Sequence, residues 1–188
     1  MKIALLSGSP IGTKTRVAID RLQEALTEQE ENHKITLLDL RDLDIQQPDG
    51  RNYLDTEGDT LYLTTTLMEA DIIFIGFPVF QAAIPGALKN VFDLLPVNAF
   101  RNKIAGLIVT AGSSKHYLIP ELQLKPILGY MKAHVMQTYV FIEESDFSNK
   151  QIVNDDVHFR ITTLAQDTIR MARVYNQILQ EEDDQYDF

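Results

Sequence analysis

The chain has 188 residues, is 45% hydrophobic and carries a formal net charge of -10. That length and apolar content suit one α/β domain and exclude disorder as the default reading. The negative charge argues against nucleic acid and against an anionic membrane surface, since both demand Lys and Arg in excess.

There is no cysteine, which removes disulfides, thiol catalysis and cysteinyl metal sites and fits a cytoplasmic protein. No secretory signal is visible, because Lys2-Ile3-Ala4-Leu5-Leu6 runs straight into polar turn residues. No apolar stretch approaches the roughly 20 residues needed to span a bilayer.

Short apolar runs alternate with helix-period segments, the pattern of a parallel sheet covered on both faces. The first strand is predicted at 3–6. A helix follows from Thr13, with Val17, Leu22 and Leu26 among its buried positions. The second strand is 35–38. Residues 41–58 form a polar connection with a turn at Pro48-Asp49-Gly50. Residues 61–70 read as helix and 71–78 as the clearest buried strand. The next helix starts near Pro85, since proline suits a first helical turn. The fourth strand is 104–110. Residues 118–132 read as helix, with Pro126 bending or interrupting it. The fifth strand is 135–142. The last helix starts within 154–157 and carries Ile161, Leu164, Ile169, Ala172 and Ile178 on its buried face.

Five strands with intervening helices permit the order 2-1-3-4-5 or a small Rossmann-type order. In either, ligands sit beyond the strands' carboxyl ends, where strand order reverses. Three loops therefore matter. After strand one comes Ser7-Gly8-Ser9-Pro10-Ile11-Gly12-Thr13-Lys14-Thr15-Arg16. It offers hydroxyls, backbone amides and two cations beside a helix N-terminus, which suits a phosphate dianion; it also reads as an ordinary strand-to-helix turn. Walker A fails, because Gly8 and Gly12 are one residue too close and Thr13 separates Gly12 from Lys14. The pattern G-x-G-x-x-G fails as well, with Pro10 and Thr13 where glycines belong. After strand three, Gly76 to Pro85 carries two prolines and small residues around Pro78, Val79, Phe80 and Gln81. Such a stiff loop can lie close to a flat ligand, or be a tight connection burying Phe80. After strand four, Thr110-Ala111-Gly112-Ser113 again allows close approach.

Pro78-Val79-Phe80 followed by Pro85-Gly86-Ala87-Leu88-Lys89-Asn90-Val91-Phe92-Asp93 resembles the signature of the NAD(P)H-dependent FMN reductases. This flavodoxin-like family includes sulfonate-system flavin reductases and small azo- and quinone reductases. The likeness covers nearly the whole chain. It implies a three-layer α/β sandwich with a parallel five-stranded sheet in the order 2-1-3-4-5. It implies FMN as cofactor, NADPH or NADH as donor, and a flavin, quinone or azo-type small molecule as acceptor. Cofactor-binding residues carried over are Ser7, Ser9, Pro10, Thr13, Lys14, Thr15 and Arg16 for phosphate. For the ring they are Pro78, Val79, Phe80, Gln81, Thr110, Ala111, Gly112 and Ser113. Phe80 stands where tyrosine is common, Ile11 where a basic residue is common and Ala83 where a hydroxyl is frequent.

No catalytic side chain is assigned, because flavin accepts hydride without a protein acid or base. The four histidines have no metal-ligand spacing, and Asp42 and Asp44 read as loop solvation. Lys89 and Asp93 sit four apart and can pair. Residues 1–180 are expected to form the single domain and 181–188 an acidic tail. The resemblance also implies a homodimer or homotetramer, and Phe92, Leu94 and Leu95 on the helix from Pro85 mark its interface. The stretch 112–126 looks as long as in the sulfonate-system branch, which carries an extra helical residue. A π-type irregularity is therefore expected near Leu122, and leucine lacks the tyrosine ring that branch links to loose flavin. The expectation is a protein that retains FMN. The alternative is a flavodoxin-like carrier, or an FMN-binding module, without nicotinamide turnover.

Overall fold

In the computed structural model, residues 1–29 and 32–186 are described. The chain alternates strand and helix: β1 (Lys2–Ser7), α1 (Lys14–Thr27), β2 (Lys34–Asp39), α2 (Gly58–Glu69), β3 (Ile72–Pro78), α3 (Gly86–Asp93) and β4 (Ile104–Ala111). A helical stretch with a π-turn at Pro120–Leu124 leads into α4 (Lys125–Tyr130). Then come β5 (His134–Val135), β6 (Val140–Glu143), a hairpin β7 (Phe147–Ser148) and β8 (Gln151–Ile152), and α5 (Asp155–Tyr186). The parallel sheet runs β2-β1-β3-β4, with β5 and β6 both on the far side of β4. This is the expected order, with the reversal between β1 and β3.

Period-two alternation sends each strand's side chains to two different cores. Ile3, Leu5, Ile72 and Phe74 pack with α1 and α5. Ala4, Leu6, Ile73, Ile75 and Phe77 pack with α2, α3 and α4. All but the last residue of β3 are buried, which is why that strand reads as one unbroken apolar run. Gly106 pairs with Phe74 in the neighbouring strand. The Phe74 ring lies over it, so a Cβ there would come within 2.6 Å of the ring.

Four expectations need correction. The fifth strand is two pieces. Ala105 pairs with Val135 and Ile108 with Val140, so β4 advances three residues while its partner advances five. The two extra residues loop out as a bulge, and Lys125 Nζ donates to Gln137 O there at 2.7 Å. Ile178 is exposed, because α5 outruns the sheet beyond Ala172. Val17 is only half-buried; Ala18, Ile19, Leu22 and Leu26 carry that face instead. Pro126 does not break its helix. It lies in the first turn of α4, directly after the π-turn, where its missing N–H costs little. The C-terminal helix takes in residues 181–186 of the acidic segment, and Asp187 and Phe188 lie outside the described residues.

Candidate active site

The carboxyl ends of β1, β3 and β4 converge on one cleft of about 360 Å³, within the range of small-molecule sites. Its floor is Ser9, Ile11, Gly12, Thr13, Lys14 and Thr15. One wall is Pro78, Val79 and Phe80; the other is Thr110, Ala111 and Gly112.

Backbone and hydroxyl bonds tie these parts together. Gly8 N–H donates to Gly76 O at 2.7 Å and Val79 N–H to Thr110 O at 2.9 Å. The hydroxyls of Thr15 and Thr110 bond at 3.0 Å, linking the start of α1 to the end of β4. Ser9 Oγ donates to Ile11 O inside the loop. Thr13 occupies the N-cap of α1 without a capping side-chain bond, and the first turn has no acidic residue. The first-turn amides and the positive end of the helix dipole are thus left for a ligand anion.

The structure gathers ten of the fifteen proposed residues: Ser9, Thr13, Lys14, Thr15, Pro78, Val79, Phe80, Thr110, Ala111 and Gly112. Ser7, Pro10, Arg16, Gln81 and Ser113 do not line the cleft. Ser7 is buried and its hydroxyl has no hydrogen-bond partner. Arg16 turns away to carboxylates, donating to Asp20 at 2.7 Å and to Asp39 at 3.0 Å. Its pKa is raised, first by the Asp20 hydrogen bond, against desolvation, with Asp39 adding. Gln81 and Ala82 form a turn with positive φ, 49° and 58°, closed by paired bonds between Phe80 and Ala83 at 3.0 and 2.9 Å.

Two lining residues were not foreseen, Glu144 and Phe147. Glu144 follows β6 on a short 3₁₀ turn whose capping Asp146 carboxylate accepts from Glu143 N–H at 2.8 Å, and Phe147 opens β7 directly after it. Glu144 pairs with Lys14 across the cleft mouth, and the Lys14 ammonium sits 5.7 Å from the Phe147 ring centroid. Both lie past the carboxyl end of strand five, outside the three loops, after strands one, three and four, that the switch-point rule singled out. A second missed group holds the loop from outside. Asp39, 5% exposed, accepts from Arg41 N–H at 3.0 Å, and Arg41 donates to Gly12 O at 3.2 Å.

The donor set fits FMN: an uncapped helix start for phosphate, and two apolar, small-residue walls for a flat ring. One group opposes it, because the Glu144 carboxylate occupies Lys14 and would repel a phosphate bound beside it. Glu144→Gln should therefore tighten FMN about two- to fivefold, the scale of an exposed ion pair, and leave riboflavin unchanged. Fluorescence titration of both flavins checks this, and parallel changes would refute it. A larger groove of about 600 Å³ beside Tyr117, Tyr139 and Phe159 flanks the start of β6. That is the wrong end of the strand for a switch-point site.

The π-turn expected near Leu122 is present at Pro120–Leu124, where Lys125 N–H donates five residues back to Pro120 O. Leu122 itself is 70% exposed. Phe92 and Leu95, expected at a subunit interface, are buried in the chain's own core; their apolar character serves the fold. Lys89 and Asp93 form the expected i,i+4 ion pair. His158 accepts at Nδ1 from Arg21 at 3.1 Å. Among the described residues there is no cluster of metal-ligating side chains and no helix long and apolar enough to cross a membrane.

The family model for NADPH-dependent FMN reductase matches residues 1–147. An NAD(P)H-dependent FAD/FMN reductase of Geobacillus thermodenitrificans is 35% identical over 91% of this chain and 93% of its own length. An FMN reductase (NADPH) of Pseudomonas aeruginosa is 33% identical over 52% of each chain, so that match spans about half of either protein. Among solved structures, an apo NADH:FMN oxidoreductase superposes with a TM-score of 0.74 at 26% identity. That superposition covers 89% of this chain and 87% of the other. The sheet order agrees with the structural likeness, and the family model together with the Geobacillus relative shows that the chain belongs to the NADPH-dependent FMN reductase family.

Proposed function

We propose that this protein is an NAD(P)H-dependent FMN reductase that retains its flavin and passes electrons to a flavin, quinone or azo-type small molecule. The observation that carries the reading is a single cleft at the switch point, joining an uncapped helix N-terminus to two small-residue walls. FMN, when bound, supplies the hydride-accepting chemistry. The amides of the first turn of α1 and the Thr15 hydroxyl hold phosphate. Pro78, Val79 and Phe80 form the wall on one side, and Thr110, Ala111 and Gly112 let backbone approach on the other. Phe80 supplies an apolar wall without a phenolic hydrogen bond. The residues carry no proton in the reaction; they bind, orient and exclude water.

Retention of FMN is inferred from Leu122. The π-turn is there, yet its exposed leucine offers neither ring stacking nor a hydroxyl. Stopped-flow mixing of the FMN-loaded protein with NADPH and NADH, followed by an acceptor screen, tests the reading. Rapid flavin bleaching and ping-pong kinetics are expected. Absence of bleaching would return the carrier reading, and weak FMN with sequential kinetics would refute retention.

We further propose self-association through the face between α3 and α4. A groove of about 460 Å³ there is lined by Leu95, Pro96, Val97, Ile127 and Tyr130. Val97 is 54% and Tyr130 66% exposed, an apolar surface that a second copy would cover. A monomeric mass at micromolar concentration would contradict this. We place the protein in the cytoplasm, where reduced nicotinamide is at hand.

A further inference from the structure

The turn at Gln81–Ala82 is unusual for its residues. Two consecutive positive φ values are the signature of a type I′ turn, whose preferred pair is Asn-Gly. Gln and Ala adopt this conformation reluctantly, because a Cβ crowds the left-handed region. Such a conformation persists where the surroundings hold it.

Here, besides the paired Phe80–Ala83 backbone bonds, one side chain bonds to both flanks of the turn. Gln123 Oε1 accepts from Ile84 N–H at 3.0 Å, and Gln123 Nε2 donates to Ala82 O at 3.2 Å. The amide therefore grips the turn on both sides, using one donor and one acceptor. Gln123 lies within the π-turn at Pro120–Leu124. Leu124, next in the chain, and Leu128 are buried in the core, so the helix that carries Gln123 is anchored while its amide reaches the loop. The loop end so held is Phe80, paired to Ala83 across the turn and part of the cleft wall.

We infer that Gln123 is a positioning residue for the flavin wall, holding the strained Gln81–Ala82 turn from the π-turn and so fixing Phe80. The inference rests on the reading of the cleft as an FMN site. Its first readout does not: amide hydrogen exchange at Ala83 and Ile84 in the full-length protein without flavin. Gln123→Ala should speed exchange at Ile84 about tenfold, the scale of one or two lost hydrogen bonds, and weaken FMN binding by a similar factor. Building the preferred turn, Gln81→Asn with Ala82→Gly, should restore FMN affinity to the Gln123→Ala protein, since Asn-Gly needs no brace. A residue of merely structural importance would not be rescued from the turn.

Gln123→Glu gives a second, isosteric test that keeps the fold. Its carboxyl can both accept from Ile84 and donate to Ala82 only while protonated; as carboxylate it faces the Ala82 carbonyl with like charge. FMN affinity of this variant should therefore fall as pH rises through its titration, relative to wild type at each pH. Wild-type exchange and FMN affinity in Gln123→Ala, a loss that the Asn-Gly turn does not repair, or a flat pH profile in Gln123→Glu would each overturn the inference. Failure of the wild-type protein to bind FMN would instead overturn the functional reading, and the exchange measurement would still decide whether Gln123 holds the turn.

Discussion

Gly76→Ala should lower the unfolding midpoint and weaken FMN binding together. Gly76 pairs with Ser7 on one side and Ile108 on the other. A Cβ there would come within 2.7 Å of Ile19 Cγ1, 2.8 Å of its Cδ1 and 3.3 Å of Thr15 Cγ2. Ile19 is fully buried, so it has no room to yield, and α1 must move away from the sheet. Overpacking of this kind costs about 1–3 kcal/mol, at about 2–4 °C of midpoint per kcal/mol for a chain of this size. The displaced helix carries Thr15 and the first-turn amides, so flavin affinity should fall with it. Gly129→Ala is the control, since a Cβ there meets nothing within 4 Å and alanine favours helix over glycine by about 1 kcal/mol. Thermal melts and FMN titration of both variants check this. Equal melting of Gly76→Ala and wild type would mean that the close approach of α1 is not tight.

Asp39→Ala should be nearly as damaging, by a different route. Asp39 is buried and accepts from Arg16 at 3.0 Å and from Arg41 N–H at 3.0 Å, with the Arg41 guanidinium at 3.4 Å. Arg16 and Arg41 keep 29% and 34% of their side chains exposed, so solvent screens part of the interaction. A loss of about 1.5–3 kcal/mol is expected, the scale of hydrogen bonds to a charged group. Arg41 also donates to Gly12 O, so the loop between β1 and α1 should loosen and, on the proposed placement of phosphate there, FMN affinity should drop. Asp39→Asn keeps an accepting oxygen and should lose less of both. Urea denaturation read alongside FMN titration separates the effects. Stability lost with unchanged FMN affinity would show that Asp39 serves the fold alone.

Much of this arrangement was legible from residue order. β1, β3 and β4 are unbroken apolar runs, and each is followed by the small or hydroxylic residues that a cleft at a strand end requires. The π-turn was within reach only through the resemblance, because the stretch 112–126 is as long as in the sulfonate-system branch, which carries an extra helical residue. The bulge in strand five was not, since residues 136–139 contain neither Gly nor Pro and nothing local marks where pairing fails. Arg16 misled for a related reason. A cation beside a helix N-terminus suggests phosphate, but Asp20 one turn along and Asp39 on the neighbouring strand claim it first, and the second partner is 23 residues away. Gln123, Asp39 and Glu144 act through contacts that exist only once distant elements meet. Phe92 and Leu95 show the converse limit, because an apolar helix face is the same in sequence whether it meets its own sheet or another subunit.

The most direct measurement is the dissociation constant of the purified protein for FMN and for riboflavin, which differ only in the phosphate. Phosphate at the start of α1 should bind through charge-assisted bonds to backbone amides, so FMN should be tighter by about tenfold or more. Thr15→Ala should narrow that ratio, and Arg16→Gln should narrow it less, because Arg16 faces Asp20 and Asp39 instead of the cleft. Equal affinity for the two flavins would contradict the placement of phosphate in this loop and, with it, the assignment of the cleft.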